Sequence, residues 1–190
     1  MTMISRGNAH NASGNRTRGF TLVELMAVVV ITGILASLAV VGYRRYVDSA
    51  KTNEAREVIG SIKAGQESYF DETMRFLNVS TNINTYYPNA SPTGFVKTSW
   101  VNDSSEAYKN FGRLGVNVNA PVYFGYSSIA SSGGTGEPSA GQGITNWSPP
   151  TTQQPYYIVK AVCDINPGGE VTAFVSSSFQ SDIYGENVGE

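Results

Sequence analysis

Hydrophobic and polar positions divide the chain into three stretches. From Leu25 to Tyr43 no residue is charged. About 19 residues at ~1.5 Å per residue make roughly 28 Å of helix, close to the hydrocarbon thickness of a bilayer. The core helix of a water-soluble protein seldom stays apolar for so long, so the pattern predicts a membrane-inserted segment, closed by Arg44 and Arg45. Past Arg45 the pattern changes. Tyr46, Val47, Ala50, Val58, Ile59, Ile62, Tyr69 and Phe70 recur at helical steps, and Lys51, Glu54, Arg56, Glu57, Lys63 and Glu67 take most of the positions between them. No proline occurs before Pro88. These features predict one helix from about Phe20 to about Phe76, apolar all round in its first half and amphipathic in its second. Gly33, Gly42, Gly60 and Gly65 are weak points in it, at up to ~1 kcal/mol each.

After Asn78 the helical period is lost. Asn82 to Ser105 is rich in Asn, Thr, Ser and Pro and reads as a loop with at most short strands. Pro121–Ala130, Tyr156–Cys163 and Glu170–Ser178 are aromatic and β-branched and read as strands. The turn Asn166-Pro167-Gly168-Gly169 makes an antiparallel hairpin of the last two. Ser131–Gly143 reads as an exposed flexible connection, and the tail from Asp182 as polar and irregular. Strand residues such as Tyr123, Ile158 and Phe174 are expected to cover the apolar stripe of the helix. The predicted fold is α+β: a long N-terminal helix packed on a small antiparallel sheet.

Composition adds an asymmetry. The formal charge is −2, but residues 1–19 hold Arg6, Arg16 and Arg18 and no acid. Without them the 13 basic residues fall to 10 against 15 acidic ones, leaving −5. A body of that sign is not expected to bind nucleic acid through its phosphates. The single Cys163 excludes an internal disulfide and reads as a small buried hydrophobe. His10, the one histidine, lies in the basic leader, so no Ser-His-Asp, Cys-His or histidine-based metal arrangement can form in the body. No catalytic constellation, phosphate loop or internal repeat is present, and neither enzymatic activity nor a cofactor is expected.

The stretch "RGFTLVELM" (Arg18–Met26) raises a sharper question, because it places Glu24 at the start of the apolar run. A carboxylate at the bilayer centre costs ~2.5–3.5 kcal/mol on insertion scales and is functional by default. The run is not an ordinary secretory signal: it is too long, and the small residue suited to a cut, Gly19, precedes it. A basic leader ending in Gly19, then "FTLVELM" and an uninterrupted apolar helix, closely resembles the class III signal of type IV pilins and of type II secretion pseudopilins. The resemblance is specific over about residues 16–47 and one of layout beyond them.

That resemblance implies cleavage between Gly19 and Phe20 by a prepilin peptidase, with N-methylation of the new amine on Phe20. It divides the chain into a leader (1–19), a transmembrane and fibre-core helix (20–45) and a globular head (46–190). The subunit would wait in the inner membrane, surrounded by lipid, with its head in the periplasm. It would then join copies of itself in a helical filament at the cell surface, lifted by an inner-membrane assembly platform and a cytoplasmic ATPase. Glu24 would pair with the amine of Phe20 of a neighbouring subunit, or of its own, and so fix axial register. Thr21 and Thr32 are expected to bond to helix carbonyls. A pseudopilin is the alternative, as is a minor pilin serving as an adhesin or DNA-uptake receptor, for which Tyr86, Tyr87, Trp100 and Trp147 could serve, although packing on the sheet is the commoner role of such aromatics. The chain departs from the family in having no proline near "AVVGYRRY" and no disulfide clamp. Some pseudopilins hold this region with calcium, for which Asp164, Glu170 and Asp182 would be the oxygen ligands, although acids in surface turns explain them as well.

Overall fold

The computed structural model describes residues 19–101, 103–133, 139–149, 154–165 and 170–188. In chain order its elements are α1 (Leu22–Thr73), α2 (Glu106–Arg113), β1 (Gly125–Ser131), β2 (Tyr156–Cys163), β3 (Thr172–Ser177) and β4 (Gln180–Glu186). The chain divides into two compact units, Met1–Gly42 and Tyr43–Glu190, with α1 contributing to both.

α1 ends slightly before the predicted Phe76. Met74 takes a left-handed φ of 57° while its N–H still reaches the Phe70 carbonyl at 2.7 Å, and the Thr73 hydroxyl donates to the Tyr69 carbonyl at 2.7 Å. The reversal brings Phe76 onto Phe70, with ring centroids 4.5 Å apart, and edge-on to Tyr157 at 4.9 Å. Within the second unit α1 buries Thr52, Ala55, Val58, Ile59, Ile62, Gly65 and Gln66; of the predicted stripe Val58, Ile59 and Ile62 are buried and Val47, Tyr69 and Phe70 half-buried, whereas Tyr46 and Ala50 are exposed.

The strands form one antiparallel sheet in the order β1-β2-β3-β4. Both of its faces are covered. Tyr157, Val159, Ala161 and Cys163 of β2, with Phe174 of β3 and Tyr126 of β1, join Ala55, Ile59 and Ile62 of α1 in one cluster. Ile158, Val162, Ala173 and Val175 point the other way, into a second cluster with Ile83, Ala140 and Ile144 from the connecting segments. A sheet with one wet face alternates apolar and polar residues, whereas β2 and β3 are buried almost throughout, which is why they read as continuous apolar runs. Of the residues expected to cover the helix stripe, Phe174 and Tyr123 belong to the helix-side cluster. Ile158 does not: adjacent strand residues face opposite ways, and its side chain lies on the far face.

Two further expectations are corrected, and one helix appears in a stretch for which nothing was predicted. The residues after Gln180 are not an irregular tail but β4, paired with β3 from Ala173↔Glu186 to Ser177↔Gln180. Its polar composition concealed it, because an edge strand has one neighbour and its backbone bonds come from β3 rather than from any local pattern. The residues after Ser105 form α2, capped by the Ser105 hydroxyl, which accepts from the Tyr108 N–H at 3.1 Å. Ser139–Gly143 is exposed only in part: Ser139, Gln142 and Gly143 are exposed, but Ala140 is buried and a Cβ at Gly141 would lie 2.5 Å from Asn84 Oδ1. The β2–β3 turn predicted at 166–169, the leader up to residue 18 and residues 134–138 lie outside the described residues.

Candidate assembly site

Glu24 stands in the first turn of α1. Its Oε2 accepts from the Thr21 hydroxyl at 3.1 Å and from the Thr21 N–H at 3.3 Å, while Thr21 Oγ1 accepts from the Glu24 N–H at 3.2 Å. This is a capping box: "TLVE" is the S/T-x-x-E pattern, and the two side chains reciprocally satisfy N–H groups that the first helical turn leaves without partners. The carboxylate also lies at the positive end of the helix dipole. Thr21 therefore binds the carboxylate rather than a helix carbonyl, contrary to expectation. Thr32 does bond back, to the Val28 and Val29 carbonyls at 2.8 and 3.1 Å. Phe20 is 82% exposed, and Gly19 has open space about its Cα.

From Gly19 to Tyr46 every residue is exposed, including Leu22, Leu25, Met26 and Ile31. Among the described residues α1 is the one helix long and apolar enough to cross a membrane, with a mean hydropathy of 2.6 over its most apolar window and none of that window buried. So long an exposed apolar surface on one helix needs a cover.

Gly19, Phe20 and Glu24 thus lie together at the start of α1, whereas the candidate calcium ligands are spread over the sheet. Asp164 follows β2 and Glu170 precedes β3 at one end, near the Cys163↔Thr172 pair; Asp182 lies near the Ser177↔Gln180 pair at the other. Among the described residues no three His, Cys, Asp or Glu side chains gather where they could hold a metal ion. The aromatics weighed for adhesion are packed on the sheet, the commoner of the two readings: Tyr87 and Trp100 against Phe111 on the helix side, Tyr86 and Trp147 against the far-face cluster. Cys163 is buried, and that burial pushes its thiol up to about 12, so it has no thiolate for chemistry at neutral pH.

Sequence reasoning missed the polar groups that hold the head together. Lys160 is fully buried on the far face of the sheet, and its Nζ donates to Asn84 Oδ1 at 3.0 Å and to the Gln142 carbonyl. Asn84 Oδ1 also accepts from the Gln142 N–H at 3.1 Å, so this one cluster fastens both covering segments to β2. Among the described residues no carboxylate bonds to the ammonium, and burial pushes its pKa down to about 8. On the helix side Gln66 donates to the Leu77 carbonyl at 2.7 Å and to Ser128 Oγ at 3.1 Å, and accepts from the Leu77 N–H at 2.9 Å. Glu186 receives the N–H and hydroxyl of Thr145 and both nitrogens of Asn146. A lysine inside an apolar strand was the one available signal.

Comparison with known proteins agrees with this N-terminal geometry. Residues 14–40 match the family model described as the prokaryotic N-terminal methylation motif. The chain is 38% identical over 68 residues to the type IV major pilin protein PilA of Myxococcus xanthus, a match covering 36% of this chain and 31% of that protein. It is 31% identical over 90 residues to a fimbrial protein of Pseudomonas aeruginosa, covering 47% and 56%. It is also 38% identical over 69 residues to the type II secretion system core protein G of Pectobacterium carotovorum subsp. carotovorum, covering 36% and 44%. These matches span from 31% to 56% of the relatives' own lengths. No solved structure matches the chain. The chain thus carries the N-terminal methylation motif and is similar, over part of its length, to type IV pilins and to a type II secretion core protein.

Proposed function

We propose that this protein is a structural subunit of a type IV pilus, made as a precursor and assembled through α1. One observation carries the reading: a helix whose first half is apolar on every side and wholly exposed, opened by a carboxylate fixed beside the Gly19-Phe20 bond. Lipid covers that surface in the stored subunit, held in the inner membrane with its head in the periplasm. The helices of neighbouring copies cover it in the filament.

Prepilin peptidase cuts between Gly19 and Phe20 and methylates the amine of Phe20. That amine emerges one residue before Thr21, whose N–H already points at the Glu24 carboxylate. A charge pair there lets both groups enter a filament core of low dielectric. The assembly platform and its ATPase supply the work of extraction. Similarity to a secretion core protein favours, as the second reading, a pseudopilin acting as a short periplasmic fibre. Long surface fibres built mainly of this chain would separate the two.

Intact-mass measurement on protein from its native host tests the processing. The expected mass lacks residues 1–19 and carries one added methyl group. A mature chain that retains the leader, or one cut after Gly42, would contradict the proposal. Gly19→Arg should block the cut by placing bulk and charge at the scissile bond.

A further inference from the structure

Where the apolar run of α1 ends, four consecutive residues, Tyr43, Arg44, Arg45 and Tyr46, are all exposed. A helix turns ~100° per residue, so these side chains leave it in four directions and encircle it. Among the described residues neither arginine takes part in an ion pair, and the nearest acid in sequence, Asp48, is held by Lys51 at 3.2 Å. Two free guanidinium groups and two phenols at the rim of a segment one hydrocarbon layer long form a headgroup-binding arrangement. Guanidinium groups bind phosphate oxygens two at a time, and tyrosine rings favour the membrane–water boundary.

We propose that Tyr43–Tyr46 is a collar that binds lipid headgroup phosphates on the head side of the membrane and so sets the depth of the stored subunit. This rests on the reading of the chain as a membrane-stored filament subunit, and it revises the question that Glu24 poses. With the collar among phosphates, roughly 28 Å of apolar helix (at ~1.5 Å per residue) separates it from Glu24, which then lies at the opposite headgroup layer and not at the bilayer centre. The stored carboxylate is hydrated. Only when the subunit is drawn toward the head side must Glu24 enter hydrocarbon, where an unpaired charge is disfavoured and the amine of another copy becomes its natural partner.

The test uses the full chain in an Arg6→Gln/Arg16→Gln/Arg18→Gln background, which leaves no guanidinium in the leader, carrying ¹³C-labelled arginine and glutamate, in vesicles of phosphatidylethanolamine and phosphatidylglycerol in phosphate-free buffer. Solid-state NMR reads dephasing of the guanidinium carbons by lipid ³¹P, and broadening of the Glu24 carboxyl carbon by aqueous Mn²⁺ reports its depth. The expected result is strong arginine dephasing together with broadening at Glu24. In the Arg44→Gln/Arg45→Gln chain, which should still insert, the dephasing falls to baseline. Dephasing that survives the double substitution arises from other arginines and overturns the collar. Equal dephasing by inorganic phosphate, with the chain in micelles of an uncharged maltoside, identifies a general anion site and overturns it too. Insertion without dephasing overturns the collar and leaves the filament reading standing, whereas failure to insert overturns both.

Discussion

Thr21 and Glu24 hold each other at the first turn of α1, with hydroxyl to carboxylate at 3.1 Å and Glu24 N–H to hydroxyl at 3.2 Å. These bonds make Glu24 a cap, and a pair of substitutions separates that role from the charge pairing proposed for it. Glu24→Gln keeps a side chain that can accept the Thr21 bonds but removes the charge; Glu24→Ala removes both. Processing should proceed in both variants, because the Gly19-Phe20 bond is untouched. If charge pairing drives assembly, both should lose sheared fibre to a similar extent on immunoblots of membrane and fibre fractions. Normal fibre from Glu24→Gln alone would reduce Glu24 to a cap, worth about 1 kcal/mol on the scale of helix N-caps.

Two glycines on the same helix should respond in opposite ways. A Cβ at Gly65 would lie 2.4 Å from the Leu114 carbonyl oxygen, so Gly65→Ala must push backbone apart where α1 meets the segment after α2. It should destabilise the head by about 2 kcal/mol or more. At Gly60 nothing lies within 4 Å, and Gly60→Ala should add up to ~1 kcal/mol from helix propensity alone. Denaturant melts of the head compare them, and a stabilising Gly65→Ala would show that the close approach is absent.

The head should fold without the apolar helix. A chain beginning at Ala50 keeps Thr52, the first buried residue of α1, and every residue of both core clusters. It should be a soluble monomer of ordinary stability, ~5–15 kcal/mol, and its melt should not respond to reductant, because Cys163 is the chain's single cysteine. Sedimentation and thermal melts with and without reductant check this. Stable oligomers would show that the head carries association surfaces of its own.

Lys160 should give the head an alkaline rise in stability. Burial lowers its folded pKa from 10.5 to about 8, so the fold disfavours the ammonium. Below pH 8 the folded and unfolded chains both carry the proton, and the penalty is present in full. As pH rises from 8 the folded chain gives it up first, and stability climbs. The full effect, on the order of 3 kcal/mol, is approached toward pH 10.5. Above pH 10 the buried tyrosines Tyr126 and Tyr157, whose pKa values are raised, act in the opposite sense, so the readable window is pH 8–10. Lys160→Met should flatten the rise in denaturant melts across that window. An unchanged slope would assign it to other groups.

The long helix, its apolar and amphipathic halves, β2 and the carboxylate at the start of the apolar run were legible in the sequence because each is encoded locally. A helix repeats its pattern every few residues, a capping box is complete in "TLVE", and an uncharged run of bilayer length needs no partner to be recognised. What escaped the sequence depends on partners distant in the chain. β4 is a strand because β3 supplies its backbone bonds, although its own residues read as a polar tail. Ile158 faces away from α1 because Tyr157 and Val159 face toward it, and the side a strand residue takes is settled only when two layers close on the sheet. Lys160 sits among apolar strand residues that predict burial, yet what satisfies its ammonium comes from Asn84 and Gln142, brought together only when two loops fold over the far face. Local propensity and hydropathy determined the long helix and its exposed apolar half; long-range packing alone decided how the head is closed without a disulfide.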